Sequence, residues 1–393
     1  MITANVTPSH KFAKLIRTST VPGSLNTFCR GLLRELQEKE GYEIIAVSSP
    51  GPALDEVASR EGVKTIAVPM ERHISPLKDI VSLWRLIRVF RRERPQMVHS
   101  ITPKAGLLSM MAAWICRVPV RLHTFTGLVF PTATGLKQKI LMFTDRLTCA
   151  CATHIVPEGE GVKNDLIEYR ITRKPLQVLG YGNIRGIDLD RFDPDLPEVQ
   201  SAASEIRKEG LFTFVFIGRL VRDKGIDELV AAFSKLNKDK PETRLVLVGD
   251  MEIDLDPLLP ETLAEIGSNP AIESVGRQSD VRPWLVASDA LVFPSYREGF
   301  PNVVIEAGAM GLPSIVTNIN GSREIIMNGK NGVVIPSRDT VALEKAMRAF
   351  IDDPQRRYEM AAQARQMIAS RFEQSFVRRC LEDYYREILN QTR

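Results

Sequence analysis

Residues 290–306 read ALVFPSYREGFPNVVIE, and they place two glutamates, Glu298 and Glu306, on either side of a predicted helix start. The apolar run 290–293 ends in a Pro/Ser break, which predicts a buried strand followed by a loop that carries Glu298. Pro301 suits the first position of a helix, where its missing N–H costs nothing. The stretch therefore predicts a strand, a loop and a helix in direct succession, as in an open α/β sheet.

This succession also predicts a ligand site. The backbone N–H groups of residues 300–303 would point out of a helix N-terminus, where phosphate binds readily. Carboxylates are poor phosphate ligands, but they accept hydrogen bonds from neutral hydroxyls such as those of a sugar or a ribose. In the simpler interpretation Glu298 caps the helix and Glu306 is solvated. The combination of all these features in one stretch favours a site for a sugar nucleotide.

A second cluster lies at residues 214–225, which read FVFIGRLVRDKG. The pattern predicts a strand, a loop and a helix start, and Gly218 would allow the backbone to approach a ligand closely. Arg219 and Lys224 bracket the loop, and two fixed cations there could hold a diphosphate and neutralise charge on a leaving group. The alternative, in which Arg219 pairs with a surface acid and Lys224 is solvated, stays open.

With both clusters present, the chain resembles the retaining glycosyltransferases of the GT-B fold, in particular the large family four that includes bacterial capsule and O-antigen transferases. The resemblance covers nearly the whole chain and implies two Rossmann-like α/β domains that face a cleft. It implies that Arg219 and Lys224 hold the donor diphosphate, that Glu298 contacts the transferred sugar and that Glu306 binds the ribose. The amides of residues 300–303 would contact the sugar and the phosphates.

The predicted donor side collects both clusters and one further cation that follows a predicted strand. Its residues are Gly218, Arg219, Lys224, Arg277, Glu298, Gly299, Phe300, Pro301, Asn302, Val303 and Glu306. The resemblance implies that no protein nucleophile attacks the sugar and that the leaving phosphate oxygen accepts the acceptor's proton. Glu298 would then orient the sugar. The predicted catalytic residues are Glu298, Arg219, Lys224 and His123.

The first half of the chain is expected to bind the acceptor. Gly23 and Ser24 follow the first predicted strand, and Gly23 could let the backbone approach the donor diphosphate or the acceptor. Lys104 follows another strand in a segment that resembles the family's. Many family members have a histidine just before the glycine of a third such loop, but this chain has Thr126 there and His123 three residues earlier. His123 is therefore expected either at the active site or as a core histidine behind it, and the departure leaves room for the Thr126 hydroxyl to act at the active site.

The bulk composition predicts a two-domain enzyme. With 393 residues, 44% hydrophobic and 25% charged, the chain can bury two cores of ordinary size. No apolar run reaches the roughly 20 residues that span a bilayer, and the first 15 residues lack the apolar core of a secretory signal. Five cysteines, an odd number without paired spacing, are typical of a reducing compartment. These features predict a cytoplasmic location.

Apolar runs of strand length alternate with helical patterns, which predicts doubly wound parallel sheets. The irregular segment 180–186 predicts a linker, so we expect domains at 1–186 and 187–371, with a C-terminal helix, 372–393, that packs back on the first domain. The predicted strands are 12–19, 43–48, 64–69, 96–101, 120–125, 154–156, 176–179, 213–217, 244–248, 272–275, 290–293, 314–317 and 332–335.

The positive charge is concentrated in the first half. Residues 1–200 contain 27 Lys and Arg against 20 Asp and Glu, although the whole chain has a net charge of only +4. The densest part is an arginine-rich helical pattern at 84–94, with Ile80, Leu83, Trp84, Ile87 and Phe90 at the spacing of a buried face. The simplest interpretation is a helix with a solvated basic face. The alternative is a patch for anionic lipids, which would place the protein at the inner face of the cytoplasmic membrane.

Three other signals are set aside. Gly180, Gly182 and Gly186 resemble a dinucleotide fingerprint, but their last spacing is one residue too long and no helix follows. The acidic triplets 188–190 and 254–256 resemble a metal-binding motif, but cations and helix amides already supply the charge that a diphosphate needs. We therefore expect no metal and no cofactor. No nucleic-acid motif accompanies the basic residues, so nucleic acid is not an expected partner.

The predicted activity is transfer of a hexose-type sugar, with retention, from a nucleoside diphosphate donor to a lipid-linked sugar acceptor in surface polysaccharide synthesis. UDP is the expected nucleotide. Two alternatives keep both clusters. One is a protein that binds a sugar nucleotide without catalysis, and the other is a GT-B epimerase, which would interconvert sugars with no acceptor present.

Overall fold

A computed structural model describes residues 13–71, 73, 75–252 and 256–392. The described chain forms two compact units. The first unit extends to Arg185 and includes the C-terminal segment from Ser375, and the second comprises Gly186–Gln374. Each unit contains one six-stranded sheet, and every strand pair in both sheets is parallel.

The first unit's strands are short and largely buried, as expected for a parallel sheet covered on both faces. They are β1 (Lys14–Thr18), β2 (Glu43–Ser48), β3 (Lys64–Ala67), β4 (Met97–Ile101), β5 (Val120–Phe125) and β6 (His154–Pro157). Their order across the sheet is β3-β2-β1-β4-β5-β6.

Helices connect these strands, and four of the helices begin at a proline, which suits the first helical position because that residue needs no N–H donor. The helices are α1 (Pro22–Phe28), α2 (Leu32–Glu38), α3 (Pro52–Glu61), α4 (Pro76–Glu93), α5 (Pro103–Ile115), α6 (Gly135–Cys151) and α7 (Glu160–Glu168). A 3₁₀ turn, Phe130–Thr132, precedes α6.

The second unit repeats this plan. Its strands are β7 (Phe212–Ile217), β8 (Thr243–Val248), β9 (Ile272–Gly276), β10 (Ala290–Phe293), β11 (Ser314–Thr317) and β12 (Gly332–Ile335). Their order is β12-β11-β10-β7-β8-β9. In both units the first and fourth strands are therefore central neighbours, and the chain leaves this pair in opposite directions. Ligands of open α/β sheets bind outside the carboxyl ends of such a pair, the topological switch point.

The remaining helices are α8 (Pro197–Ile206), α9 (Ile226–Asp239), α10 (Pro260–Ser268), α11 (Arg282–Val286), α12 (Asn302–Ala309), α13 (Ser322–Ile325), α14 (Thr340–Asp352), α15 (Pro354–Phe372) and α16 (Gln374–Asn390). A 3₁₀ turn, Arg222–Lys224, precedes α9. Helix α16 returns to the first unit, where Leu381, Tyr385 and Ile388 belong to its core.

The predicted α/β fold with two doubly wound sheets is confirmed. One predicted strand, 176–179, is wrong, because Leu176 makes only an isolated bridge to Ile155. The predicted helix start at 372 is also wrong, since Phe372 ends α15 and α16 begins at Gln374. At this break the backbone pairs with Ile187 in both directions. Phe12, the first residue of a predicted strand, and Asp254 and Leu255 of an acidic triplet lie outside the described residues.

Helix α4 buries only part of the face that was predicted. Phe90 is buried and Leu83 and Ile87 pack partly buried against the core, whereas Ile80 is 63% exposed and Trp84 is 51% exposed. Nearly every turn of α4 has apolar residues on more than one side, so helical spacing alone cannot show which stripe contacts the sheet. The structure leaves an apolar stripe at the surface of the first half of α4.

Candidate functional site

The loops after β7, β8 and β10 meet at the carboxyl edge of the second sheet, and two glycines allow their close approach. Gly249 has φ +151°, and a Cβ there would lie 1.8 Å from the carbonyl oxygen of Gly218. Gly225 has φ +71°, and a Cβ there would lie 2.2 Å from the carbonyl oxygen of Pro294. A side chain at either position would force the loops apart.

Lys224 and Glu298 meet at the switch point between β7 and β10. The Lys224 ammonium donates a hydrogen bond to Glu298 Oε1, and the two side chains are only 14% and 17% exposed. Ser295 Oγ donates to the same carboxylate oxygen at 3.1 Å. Lys224 Nζ also lies 5.7 Å from the centroid of the Phe293 ring. The two sequence clusters therefore contribute a cation and an anion to one partly enclosed position.

A set of contacts fixes the loop before Glu298 to the segment around Lys224. The Tyr296 hydroxyl donates to both carboxylate oxygens of Glu228, at 2.5 and 2.6 Å. Burial, followed by this hydrogen bond, raises the pKa of Tyr296 above its ordinary value, so the phenol keeps the proton that it donates. Arg297 donates to Asp223 Oδ2 at 3.0 Å.

Sequence reasoning missed Ser295, Tyr296, Glu228 and Asp223. The partners of Tyr296 and Arg297 lie 68 and 74 residues away in the chain. No local spacing rule connects such positions, and only the places of Asp223, Ser295 and Tyr296 inside the two quoted stretches could have drawn attention to them.

The two other predicted cations are less enclosed. Arg219 is 49% exposed and pairs with Glu252 at 2.7 Å, as in the alternative interpretation of its sequence, so a diphosphate would compete with that carboxylate. Arg277 is exposed just after the edge strand β9. Because β9 is two strands from β7, its loop is displaced from the switch point by roughly 10 Å.

Helix α12 begins at Asn302, one residue later than predicted. Pro301 has extended backbone angles and precedes the helix, and its carbonyl accepts the first bond, from the Val304 N–H at 3.1 Å. The expectation that Pro301 is the first helical residue is wrong for this reason. The ring of Phe300 packs edge-on against Phe372, with centroids 5.5 Å apart, so this side chain holds the segment to α15.

Gly299, Val303 and Glu306 complete this segment. The chain at Gly321 approaches so closely that a Cβ there would lie 2.5 Å from the carbonyl oxygen of Gly299. Val303 and Glu306 are half-buried on α12. The fold thus presents Asn302 and Val303 in the first turn of the helix and Glu306 one turn further along.

Two threonines occupy the corresponding switch point of the first unit. Thr20 and Thr102 follow β1 and β4, and their hydroxyl oxygens are 2.8 Å apart. Thr102 has φ +73°, a conformation that β-branched residues rarely adopt and that costs backbone strain. Nearby, Gly23 and Ser24 lie in the first turn of α1, and open space surrounds the position where a Cβ of Gly23 would lie. Among the described residues, no neighbouring group therefore requires a glycine at this position.

Lys104 is held by the protein itself. Its ammonium donates to both oxygens of Asp79, at 2.8 and 2.9 Å, and to the carbonyl of His73. These contacts fix the segment before α4 to the start of α5.

His123 lies inside the first unit, while Thr126 is half-buried in the loop after β5. The His123 ring is 1% exposed, with Nδ1 2.8 Å from Ser100 Oγ, and a Cβ at Gly106 would lie 2.3 Å from its Cε1. Burial lowers the pKa of His123 to about 3, so the ring is neutral at ordinary pH. Of the two expected groups in this segment, only Thr126 is partly exposed.

The described residues include no group of three or more His, Cys, Asp or Glu side chains that could hold a metal ion. Among the same residues, no helix has both the length and the apolar character needed to cross a bilayer.

Both halves of the chain match known glycosyltransferase families. Residues 23–182 match the glycosyl transferase 4-like domain, and residues 200–367 match the glycosyl transferases group 1. The two matches fall in the first and the second unit respectively.

Similar proteins span nearly the same length. The capsular polysaccharide biosynthesis glycosyltransferase CapM of Staphylococcus aureus is 29% identical over 97% of this chain and 99% of its own. An Escherichia coli enzyme named UDP-Gal:alpha-D-GlcNAc-diphosphoundecaprenol alpha-1,3-galactosyltransferase is 27% identical over 81% of this chain and 82% of its own. The crystal structure of Anabaena HepE in complex with UDP superposes with a TM-score of 0.79, at 15% identity, over 96% of this chain and all of HepE.

Proposed function

This chain is a GT-B glycosyltransferase with a glycosyl transferase 4-like and a group 1 domain, and we propose that it transfers a hexose from a UDP-sugar to a lipid-linked saccharide. The transfer retains the anomeric configuration, needs no metal and serves surface polysaccharide synthesis. The observation that carries the proposal is the Lys224–Glu298 pair at the switch point of the group 1 domain. The names of the relatives support the donor, the acceptor and the role in surface polysaccharide synthesis, since one acts in capsule synthesis and another uses UDP-galactose and a diphosphoundecaprenol acceptor.

In this mechanism the second unit stabilises the leaving group. The bond between the anomeric carbon and the phosphate oxygen breaks, and the diphosphate leaves with the electron pair. Lys224 and the first-turn amides of α12 neutralise the developing charge, and Arg219 joins them by leaving Glu252. An acceptor hydroxyl forms the new bond to the anomeric carbon, and its proton passes to the leaving phosphate oxygen.

Glu298 and Glu306 divide the neutral parts of the donor between them. Glu298 already accepts hydrogen bonds from Lys224 and Ser295 at one oxygen, Oε1, and it orients the transferred sugar through its hydroxyls. Glu306 accepts hydrogen bonds from the ribose. Arg277 binds at the periphery of the donor, because its loop lies two strands from the switch point.

The first unit binds the acceptor along the edge formed by Gly23, Ser24 and Thr126. The His123 ring is buried against Ser100 and Gly106, so we assign it a positioning role beneath that edge. The Thr126 hydroxyl then takes the place next to the reacting sugar that a histidine occupies in many family members. Lys104 holds the first turn of α4 against the start of α5 through Asp79.

The surface of α4 suits contact with an anionic membrane. Leu77, Ile80, Val81 and Trp84 are exposed at helical spacing, and the Arg88 guanidinium lies 3.5 Å from the centroid of the Trp84 ring. Exposed apolar side chains followed by basic ones are the composition of a helix that lies in a membrane interface. Membrane contact would bring the enzyme to a lipid-linked acceptor at the inner face of the cytoplasmic membrane.

A transfer assay with a panel of UDP-hexoses and a diphosphoundecaprenol-linked sugar tests this proposal. We expect labelled sugar to enter the lipid fraction in excess chelator, and the proton coupling of the new anomeric centre should match that of the donor. Transfer that requires added magnesium would remove the metal-independent mechanism, and inversion would remove retention. Interconversion of UDP-sugars without acceptor would favour an epimerase, and binding without turnover on any acceptor tested would favour a non-catalytic protein.

A further inference from the structure

A cavity of about 600 Å³ opens at the amino ends of β4 and β5. Arg91, Arg94 and Arg117 line it, together with Gln96 and Cys116. The proposed acceptor residues follow the carboxyl ends of the same sheet, so strands of five or six residues separate the two places by roughly 15 Å. The cavity is therefore distinct from the proposed transfer site.

The cavity carries uncompensated positive charge. No Asp or Glu lines it, and in the part of the chain that the structure describes none of its three arginines forms an ion pair. Glu93, the nearest acid in sequence, binds Lys64 and Arg92 instead, each at 2.9 Å. All three arginines are exposed, so solvent screens their mutual repulsion in part, and an anion between them would remove the rest.

The backbone does not require arginine at two of these positions. Arg94 and Arg117 have φ of +47° and +56° at the ends of α4 and α5, a conformation that glycine adopts most easily. Arg170 has φ +50° after α7, outside the cavity, so the conformation alone marks no site. The feature particular to Arg94 and Arg117 is that both side chains line the same cavity.

We propose that this cavity binds a phosphate-type anion through Arg91, Arg94 and Arg117. The planar guanidinium group donates paired hydrogen bonds that match the oxygens of a phosphate. The phosphate can belong to a soluble phosphorylated compound or to the headgroup of an anionic lipid. Trp114, exposed two residues before Cys116, is the kind of side chain that lies at a lipid interface. The proposal does not depend on the transfer activity.

Calorimetry with inorganic pyrophosphate and sedimentation with vesicles separate the two sources. Phosphatidylglycerol vesicles provide the lipid phosphate with a net charge, and phosphatidylcholine vesicles serve as the neutral control. We expect the double variant R94Q/R117Q to bind whichever of the two probes the wild type prefers about tenfold more weakly. This is the effect of losing one charge-assisted hydrogen bond. Arg170→Gln, which removes a left-handed arginine outside the cavity, should bind like the wild type. Absence of binding to both probes, or equal binding by R94Q/R117Q and the wild type, would overturn the proposal.

A glycine variant tests whether the arginines serve the fold. R94G/R117G should unfold at the wild-type temperature or above it, because glycine adopts these φ values without strain, and should lose the same anion affinity as R94Q/R117Q. A lower unfolding temperature in R94G/R117G would mean that the arginines hold the fold, and it would overturn their assignment to a ligand.

Discussion

The two units have the same strand order, yet their switch points contain different chemistry. In the second unit Lys224 and Glu298 place opposite charges side by side. In the first unit Thr20 and Thr102 place two hydroxyls in contact, one on a strained backbone. The same topology thus positions an ion pair between the two switch-point loops of one unit and a pair of hydroxyls at the same place in the other.

The interiors beneath these edges differ as well. All five histidines precede residue 155, so the second unit contains none. In the first unit, Arg17 donates to the Tyr385 hydroxyl at 2.7 Å, and His99 Nε2 lies 2.7 Å from Thr124 Oγ1. The first unit thus buries polar groups and histidines under its edge, while the charged pair at the edge of the second unit, Lys224 and Glu298, stays partly exposed. We infer that the second unit provides charge stabilisation and that the first provides shape and neutral hydrogen bonds.

The largest expected effect is on turnover at Lys224. Lys224→Ala removes the enclosed cation and should lower kcat by about 10²–10³-fold, as does loss of a charge-stabilising donor in other active sites. Steady-state kinetics on purified variants would measure this. Lys235→Ala is the matched control, since that lysine also pairs with a glutamate, Glu344, but is exposed on α9. If Lys104→Ala, at the edge of the first unit, lowered kcat by the same factor, the proposed difference between the two units would be wrong.

The second prediction separates the two glutamates of the charged edge. Glu298→Ala should lower turnover by roughly 10- to 150-fold, the effect of a charge-assisted hydrogen bond, and should leave binding of free UDP nearly unchanged. Glu306→Ala should instead weaken binding of UDP and of the donor alike, because the ribose does not react. Calorimetry with UDP and kinetics with the donor give the two quantities. Loss of UDP binding in Glu298→Ala, with normal binding in Glu306→Ala, would reverse the assignment of sugar and ribose ends.

The third prediction concerns acid stability, and it rests on a buried histidine of the first unit. His123 titrates near its ordinary value of 6.5 when unfolded but at about 3 when folded. Between these values unfolded His123 binds more protons than folded His123, so the contribution of His123 to the free energy of unfolding is fully present above pH 6.5 and falls as the pH drops towards 3. At pH 5, which is 1.5 units below 6.5, the stabilisation that His123 contributes is lower by about 2 kcal/mol.

Denaturant unfolding of the wild type and His123→Asn at pH 7 and pH 5 checks this. The variant should be less stable at pH 7 and should lose less on acidification. His99, whose pKa burial also lowers, contributes with the same sign and remains in both proteins. Equal losses in the wild type and His123→Asn would mean that His123 does not titrate in this way.

The contrast between the units also explains what could be predicted from sequence. Both sheets follow from apolar runs such as 290–293, and Lys224 and Glu298 follow from their places just after such runs. Their direct contact does not, because 74 residues separate them. The burial of His123 depends on Ser100 and Gly106 from other elements, and no local pattern reports these contacts. The outward stripe of α4 escaped prediction because apolar residues lie on several sides of that helix.

The smallest expected effect lies on the outer surface, where the contrast between the units can be tested without touching either edge. Arg88→Gln removes one exposed charge beside Trp84 on α4, and each basic residue near an anionic surface contributes about 1 kcal/mol. Partition onto phosphatidylglycerol vesicles should therefore fall roughly fivefold, and the difference should shrink as salt screens the surface. Lys345→Gln makes the same change of charge on the exposed side of α14 in the second unit and should have no effect. Equal partition of Arg88→Gln and the wild type would leave the arginines of α4 as a solvated face, and an equal fall in Lys345→Gln would mean that net charge, rather than this helix, directs the protein to the vesicle.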